Sequence, residues 1–181
     1  MTGGKLYWNF TGLVNYFGTT YYIHNGVLNW NYNGLVQYKN TWYYIENGRL
    51  NKNYTNLVKY NGTWYFVKNG QIDWSINTLS QVNGKGTWYY VDNAKINWHY
   101  TGLTNYFGTW YYIQNGVLNW NYNGLTYYNG TWYYVQNGRI NWDYEGIVSY
   151  NGKKYYVTNA KIDWSFTGKY KNYNIKNGEV K

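Results

Sequence analysis

The sequence predicts an all-β fold, a repeat β-solenoid of stacked β-hairpins with about 22 residues per unit. Three observations carry this: a fixed 22-residue period, Asn-Gly dipeptides at constant offsets within it, and an aromatic-rich composition with no helical periodicity. The period is seen in the Gly-Leu step, or its equivalent, at 12, 34, 56, 78, 102, 124, 146 and 168. Every interval is 22 residues except one of 24, where Lys85-Gly86 reads as a two-residue insertion in a turn. Residues 1–181 are therefore read as a single repeat domain. It has a partial amino-terminal unit over 1–11, whole units from the first seven of those steps, and a degenerate carboxy-terminal cap over 168–181. Leu6-Tyr7-Trp8-Asn9-Phe10 is read as the tail of a unit whose front is missing.

Each unit divides into three short strands. In the third whole unit Leu57-Val58-Lys59-Tyr60 is followed by Asn61-Gly62, then Thr63–Lys68, then Asn69-Gly70, then Gln71-Ile72-Asp73-Trp74. Asn-Gly between β-prone runs marks a type I′ turn, which needs positive φ at both central residues. Asn93-Ala94 and Asn159-Ala160 replace it twice, and Ala disfavours positive φ by about 1 kcal/mol. Those two hairpins are expected to use another turn type or to be locally less stable. If Asn47-Gly48 is a two-residue loop, Ile45 pairs with Leu50 and Tyr43 lies opposite position 52. Tyr43, Ile45 and Leu50 then share an apolar face, the expected core. Trp42, Tyr44 and Asn51 share the other, whose mixture of rings and amides suits a sugar-contacting surface. A longer duplication lies above the short one, because 11–35 and 101–125 match at 22 of 25 positions.

Composition narrows the function classes. Aromatic residues make up 25% of the chain, with 28 Tyr and 12 Trp, more than a small core needs, so many are expected at the surface. With no Cys there is no disulfide framework and no thiolate metal site. No apolar run approaches the roughly 20 residues of a membrane span, so no membrane insertion is expected. Met1-Thr2-Gly3-Gly4 is not a signal peptide, and the chain reads as part of a larger secreted protein or its mature end. The net charge of +9 admits nucleic acid, anionic membranes and anionic wall polymers. Its distribution argues against nucleic acid. Seven of the sixteen Lys and Arg lie between Lys153 and Lys181, whereas 6–38 and 96–138 carry no charged residue. Long neutral stretches rich in Trp and Tyr fit a glycan.

The twelve Trp occupy two repeat positions. One set opens the second strand: Trp42, Trp64, Trp88, Trp110 and Trp132, with Thr20 and Lys154 in their place in two units. The other closes the hairpin: Trp8, Trp30, Trp74, Trp98, Trp120, Trp142 and Trp164, with Lys52 in one unit. The closing set is expected on the core face. For the opening set, ligand stacking and packing weigh equally. Candidate ligand-binding residues are Trp42, Tyr44, Trp64, Trp88, Tyr90, Trp110, Tyr112, Trp132 and Tyr134 from the opening strand, together with Trp120 and Trp142. Catalytic residues, cofactors and a metal site are not expected. His24 and His99 fall at different repeat positions, and neighbouring Asp143 and Glu145 occur in one unit only, so the seven acids form no recurring pair. Asn9-Phe10-Thr11, Asn53-Tyr54-Thr55, Asn61-Gly62-Thr63 and Asn129-Gly130-Thr131 match a glycosylation acceptor, but turns already demand these residues.

Gly-Leu, then Asn-Gly or Lys-Asn, then Thr-Trp-Tyr-Tyr, then Asn-Gly resembles the cell-wall-binding repeats of Gram-positive bacteria. That superfamily takes in choline-binding repeats, the glucan-binding repeats of glucansucrases and the carboxy-terminal repeats of clostridial toxins. Thr41-Trp42-Tyr43-Tyr44-Ile45 is similar to their hairpin strand, and Asn151-Gly152-Lys153-Lys154-Tyr155-Tyr156-Val157 to the glucan-binding and toxin variant. The resemblance implies a β-solenoid with ligand sites in grooves between consecutive units. Choline repeats usually carry Trp after the first Gly. Here Leu13, Leu35, Leu57, Leu79, Leu103, Leu125 and Ile147 stand there, so one wall of a choline cage is missing. The hairpin-closing Trp of an adjacent unit is expected to supply a substitute ring. The expected function is non-catalytic binding of a cell-wall polymer, teichoic acid or α-glucan, anchoring a secreted or cell-surface bacterial protein. Host-glycan recognition by a toxin or adhesin, and a structural or self-assembling spacer, stay open beside it.

Overall fold

The computed structural model describes residues 8–181. The reading of Met1–Gly4, and of Leu6 and Tyr7 as part of a preceding unit, lies outside the described residues. Among these residues there are 24 strands and no helix, and the strands pair antiparallel. They fall into two compact units, Met1–Ile96 and Asn97–Lys181.

Within each unit one hairpin motif recurs. In the first, Gly34–Tyr38 pairs with Thr41–Glu46, which pairs in turn with the two-residue strand Arg49–Leu50. Ile45 lies opposite Leu50, as the sequence predicts. Asn47 and Gly48 adopt φ of 49° and 72°, the type I′ geometry. Ala94 and Ala160 adopt φ of 56° and 60°, so the same turn is kept and its strain is accepted. The amide of the first turn residue is held by the residue closing the preceding unit. Asn47 N donates to Asn33 Oδ1 at 2.8 Å, and Asn69 N and Asn115 N donate to Thr55 Oγ1 and Thr101 Oγ1 at 3.0 Å.

Hairpins are joined by more than side chains. Tyr44 N donates to Gly70 O of the next hairpin at 2.8 Å, and Gly70 N donates back to Tyr54 O at 2.9 Å. Tyr43 therefore lies opposite Gln71, not position 52, because the third strand ends at Leu50.

The core differs from the one-faced arrangement expected. Cross-strand partners share a face, so Leu35, Trp42 and Tyr44 point one way and Val36, Tyr43, Ile45 and Leu50 the other. Both faces are covered. In the first unit Leu13 and Tyr22 pack against Val36 and Ile45 of the following hairpin, and Leu35 packs against Val67 and Ile72. In the second, Leu103 and Tyr112 meet Val135 and Ile140, and Leu125 meets Val157 and Ile162. A hairpin with six-residue strands cannot bury enough apolar surface alone, and stacking on both sides supplies the rest.

Candidate ligand-binding site

The opening-strand rings are held between hairpins. Trp42 packs on Tyr60 with ring centres 5.0 Å apart, Trp110 on Tyr128 at 5.1 Å and Trp132 on Tyr150 at 4.7 Å. Trp64 joins the cluster around Leu57 and Val91. Tyr44 stacks on Tyr54 at 3.6 Å, Tyr112 on Tyr122 at 3.7 Å, and Tyr134 tilts against Tyr144 at 3.9 Å. Tyr112 is buried, and Trp88 and Tyr90 are half-buried. Burial, then the neighbouring Tyr44, pushes Tyr54 up to about 12, and burial, then Tyr112, does the same to Tyr122. Both hydroxyls stay protonated and donate to a main-chain carbonyl of the next unit, Tyr122 to Leu125 O at 2.6 Å and Tyr54 to Leu57 O at 3.4 Å.

The hairpin-closing Trp, expected in the core, are the exposed ones, from 41% at Trp120 to 64% at Trp8. The third strand, and its alternation, ends two residues before them. After Leu50 the chain turns, with Asn53 N donating to Asn51 Oδ1 at 2.9 Å, and Asn121 N donates to Asn119 Oδ1 at the same distance. The turn swings the intervening side chain away from the core.

Trp30, Trp74, Trp120, Trp142 and Trp164 each meet the Tyr that follows the opening-strand Trp position in the same repeat, at a steep angle. Tyr21 and Trp30 are 5.8 Å apart at 86°, and Tyr65 and Trp74 are 6.0 Å apart at 84°. In the second unit the corners are Tyr111–Trp120 at 86°, Tyr133–Trp142 at 84° and Tyr155–Trp164 at 75°. A separate shallow pocket lies beside each of three of these corners. Near Trp30 it measures about 790 Å³ and is lined by Glu46, Asn47, Arg49, Asn51 and Asn53. Near Trp74 it measures about 720 Å³, with Thr41, Asn69, Gln71, Asp73 and Ser75. Near Trp142 it measures about 390 Å³, with Thr158, Asn159, Lys161 and Asp163. A fourth pocket, of about 360 Å³, is walled by Trp132 of one hairpin and Tyr150, Tyr155 and Trp164 of the next. Two unlike Trp positions thus meet across a hairpin boundary.

Of the residues expected to bind ligand, Trp120 and Trp142 stand on exposed corners, Trp132 reaches a pocket edge, Trp42, Tyr44, Trp64, Trp110, Tyr112 and Tyr134 are engaged in packing, and Trp88 and Tyr90 are half-buried. The sequence marks Trp30, Trp74 and Trp164 as members of the closing set, but not Tyr21, Tyr65, Tyr111, Tyr133 and Tyr155 as the rings beside the closing Trp. Among the described residues no group of three or more His, Cys, Asp or Glu could hold a metal ion. Glu145 accepts a hydrogen bond from Tyr156 Oη at 2.9 Å.

Choline-binding repeats match residues 9–29, 31–51, 53–73, 100–119, 121–141 and 143–163. A search of curated proteins finds no match. Among solved structures, CbpJ from Streptococcus pneumoniae TIGR4 is 24% identical with a TM-score of 0.36, over 94% of this chain and 57% of that one. Choline binding protein F from Streptococcus pneumoniae, solved with a peptidoglycan analogue, is 25% identical with a TM-score of 0.34 over the same shares. Alternansucrase in complex with isomaltotriose is 23% identical with a TM-score of 0.36, over 81% of this chain and 12% of that one. The chain thus spans little more than half of the two pneumococcal proteins and about an eighth of alternansucrase. The repeat match extends over more than half of the sequence, and the chain belongs to the choline-binding repeat family.

Proposed function

We propose that this chain binds a bacterial cell-wall polymer or an extracellular polysaccharide through its recurrent aromatic corners, and so holds a secreted protein at a bacterial surface. The observation that carries the reading is a half-exposed Trp beside a shallow pocket with amides and carboxylates in its lining, recurring at Trp30, Trp74 and Trp142. Exposed aromatic surface with hydrogen-bonding groups beside it matches the apolar patches and hydroxyls of a sugar. Tyr21–Trp30, Tyr65–Trp74, Tyr111–Trp120, Tyr133–Trp142 and Tyr155–Trp164 are the sites, with Trp132 contributing beside Trp164. Each site is open and weak by itself, and several on one chain raise avidity through effective concentration. Lys169, Lys171 and Lys176 add a salt-sensitive attraction to wall phosphates.

The test is co-sedimentation of the full chain with Gram-positive cell walls, with and without teichoic acid, and with insoluble α-glucan, at low and high salt. Salt-resistant retention that falls in Trp30→Ala/Trp120→Ala supports the corners. Retention by no material, or retention indifferent to these substitutions in a folded protein, refutes them.

A further inference from the structure

Four of the aromatic corners face a basic side chain from the following hairpin. The residue whose backbone lies directly opposite the corner Tyr is Arg49 for Tyr21, Lys95 for Tyr65, Arg139 for Tyr111 and Lys161 for Tyr133. The β-ladder therefore sets where each cation stands. Arg49 Cζ lies 5.7 Å over the Tyr21 ring and 5.1 Å over Trp30. Arg139 Cζ lies 5.5 Å over Tyr111 and 5.0 Å over Trp120, and Lys95 Nζ lies 5.6 Å over Tyr65 and 5.5 Å over Trp74. Lys161 Nζ lies 5.6 Å over Tyr133. Each of these four cations thus has an aromatic ring as a partner. Where Lys52 replaces the corner Trp, the residue opposite Tyr43 is neutral Gln71, so the cation is missing where the corner is missing.

Two rings at a right angle with a cation held over both faces is the arrangement by which aromatic cages recognise organic cations. We infer that the chain fills its own corners: Arg49, Lys95 and Arg139 occupy the space an external quaternary ammonium would need, and so act as specificity determinants that turn such ligands away. The tethered cation competes from a high local concentration, so a free ammonium ion loses at the same corner. What each filled corner presents is a ring edge beside a guanidinium or ammonium group, which suits hydroxyl, carboxylate or phosphate groups of a glycan. The inference stands whichever polymer the module binds. The Tyr155–Trp164 corner differs, because Glu179 lies opposite Tyr155 and among the described residues no cation lies over either ring.

The experiment is an NMR titration of the full chain with tetramethylammonium, following the indole N–H resonances of Trp30 and Trp120. In Arg49→Gln/Arg139→Gln, which keeps much of each aliphatic stem but removes the charge, both resonances should shift saturably. The parent, and Arg49→Lys/Arg139→Lys, should need at least about tenfold more ligand for the same shift. Near-UV circular dichroism verifies that the variants fold. Equal responses in parent and Gln variant, or no saturable shift in the folded Gln variant, overturn the inference. If the Gln variant does not fold, Trp30 and Trp120 shifts in the parent at the concentration that moves Trp164 overturn it, and still resonances there support it.

Discussion

Gly48→Ala tests how closely consecutive hairpins approach. A Cβ at Gly48 would lie 2.5 Å from Asn29 O and 2.9 Å from Trp30 Cα of the preceding hairpin. The residue cannot retreat, because Gly48 N donates to Tyr32 O at 3.1 Å and Gly48 O accepts from Tyr22 N at 2.8 Å. Its φ of 72° adds about 1–2 kcal/mol for a residue with a side chain. Forcing the facing backbone outward adds about 1–3 kcal/mol, for a total loss of about 2–5 kcal/mol. Ala94 is the built-in control. It holds the same place with φ of 56°, is 0% exposed, and keeps both main-chain bonds, to Ile76 O at 3.0 Å and from Phe66 N at 2.7 Å. Ala94→Gly relieves about 1 kcal/mol of backbone strain and gives up a buried methyl of similar value, so its net effect should lie within about 1 kcal/mol of zero. Urea unfolding of the full chain, read by Trp fluorescence and near-UV circular dichroism, measures both. A Gly48→Ala loss under about 1 kcal/mol, or an Ala94→Gly loss above about 2 kcal/mol, would refute the steric argument.

The two Trp positions should separate stability from binding. Trp42→Ala, which strips a ring from the hairpin boundary, should lower unfolding stability by about 2 kcal/mol or more, while Trp30→Ala should cost under about 1 kcal/mol and reduce polymer retention. Burial raises Tyr54 and Tyr122 to about 12 from an ordinary 10.0, and burial with the Glu145 bond raises Tyr156 to about 12. The folded state holds these protons more tightly, so the contribution is whole below pH 10 and lost as pH climbs to about 12. Urea midpoints falling over that interval, in step with tyrosinate absorbance, are expected; flat midpoints would contradict it. Thr101→Val removes the acceptor for Asn115 N and should cost about 1 kcal/mol in the same unfolding assay.

The hairpins were legible because Asn47-Gly48 and its equivalents demand one turn type, and the turn fixes Ile45 against Leu50. The boundary between units was not. Period-two alternation says which side chains share a face but not that Leu35 of one hairpin will cover Val67 of the next. The placement of Trp30 escaped for a narrower reason. Alternation extended past Leu28 puts it in the core, but the strand ends there and Asn29 Oδ1 accepts from Asn31 N at 3.3 Å, starting a turn. Nothing in the motif itself marks Arg49 and Arg139, each directly after an Asn-Gly turn, as partners of a ring. Their signal was spacing, each standing 19 residues beyond a closing Trp.

The two-residue insertion at Lys85-Gly86 sits at the free end of its hairpin. The register shifts between Gln81 and Val82, Gln81 Nε2 donates to Gly86 O at 2.7 Å, and the pairing of Leu79 with Tyr90 is recovered. Even at that tip the neighbour is still met: Val82 packs on the Leu57 cluster and Asn83 N donates to Asn56 Oδ1 at 3.0 Å. One copy can therefore lengthen its turn by two residues without losing its seat on the copy beside it. The extra length is absorbed inside the turn, and the order of stacking is left to the strands.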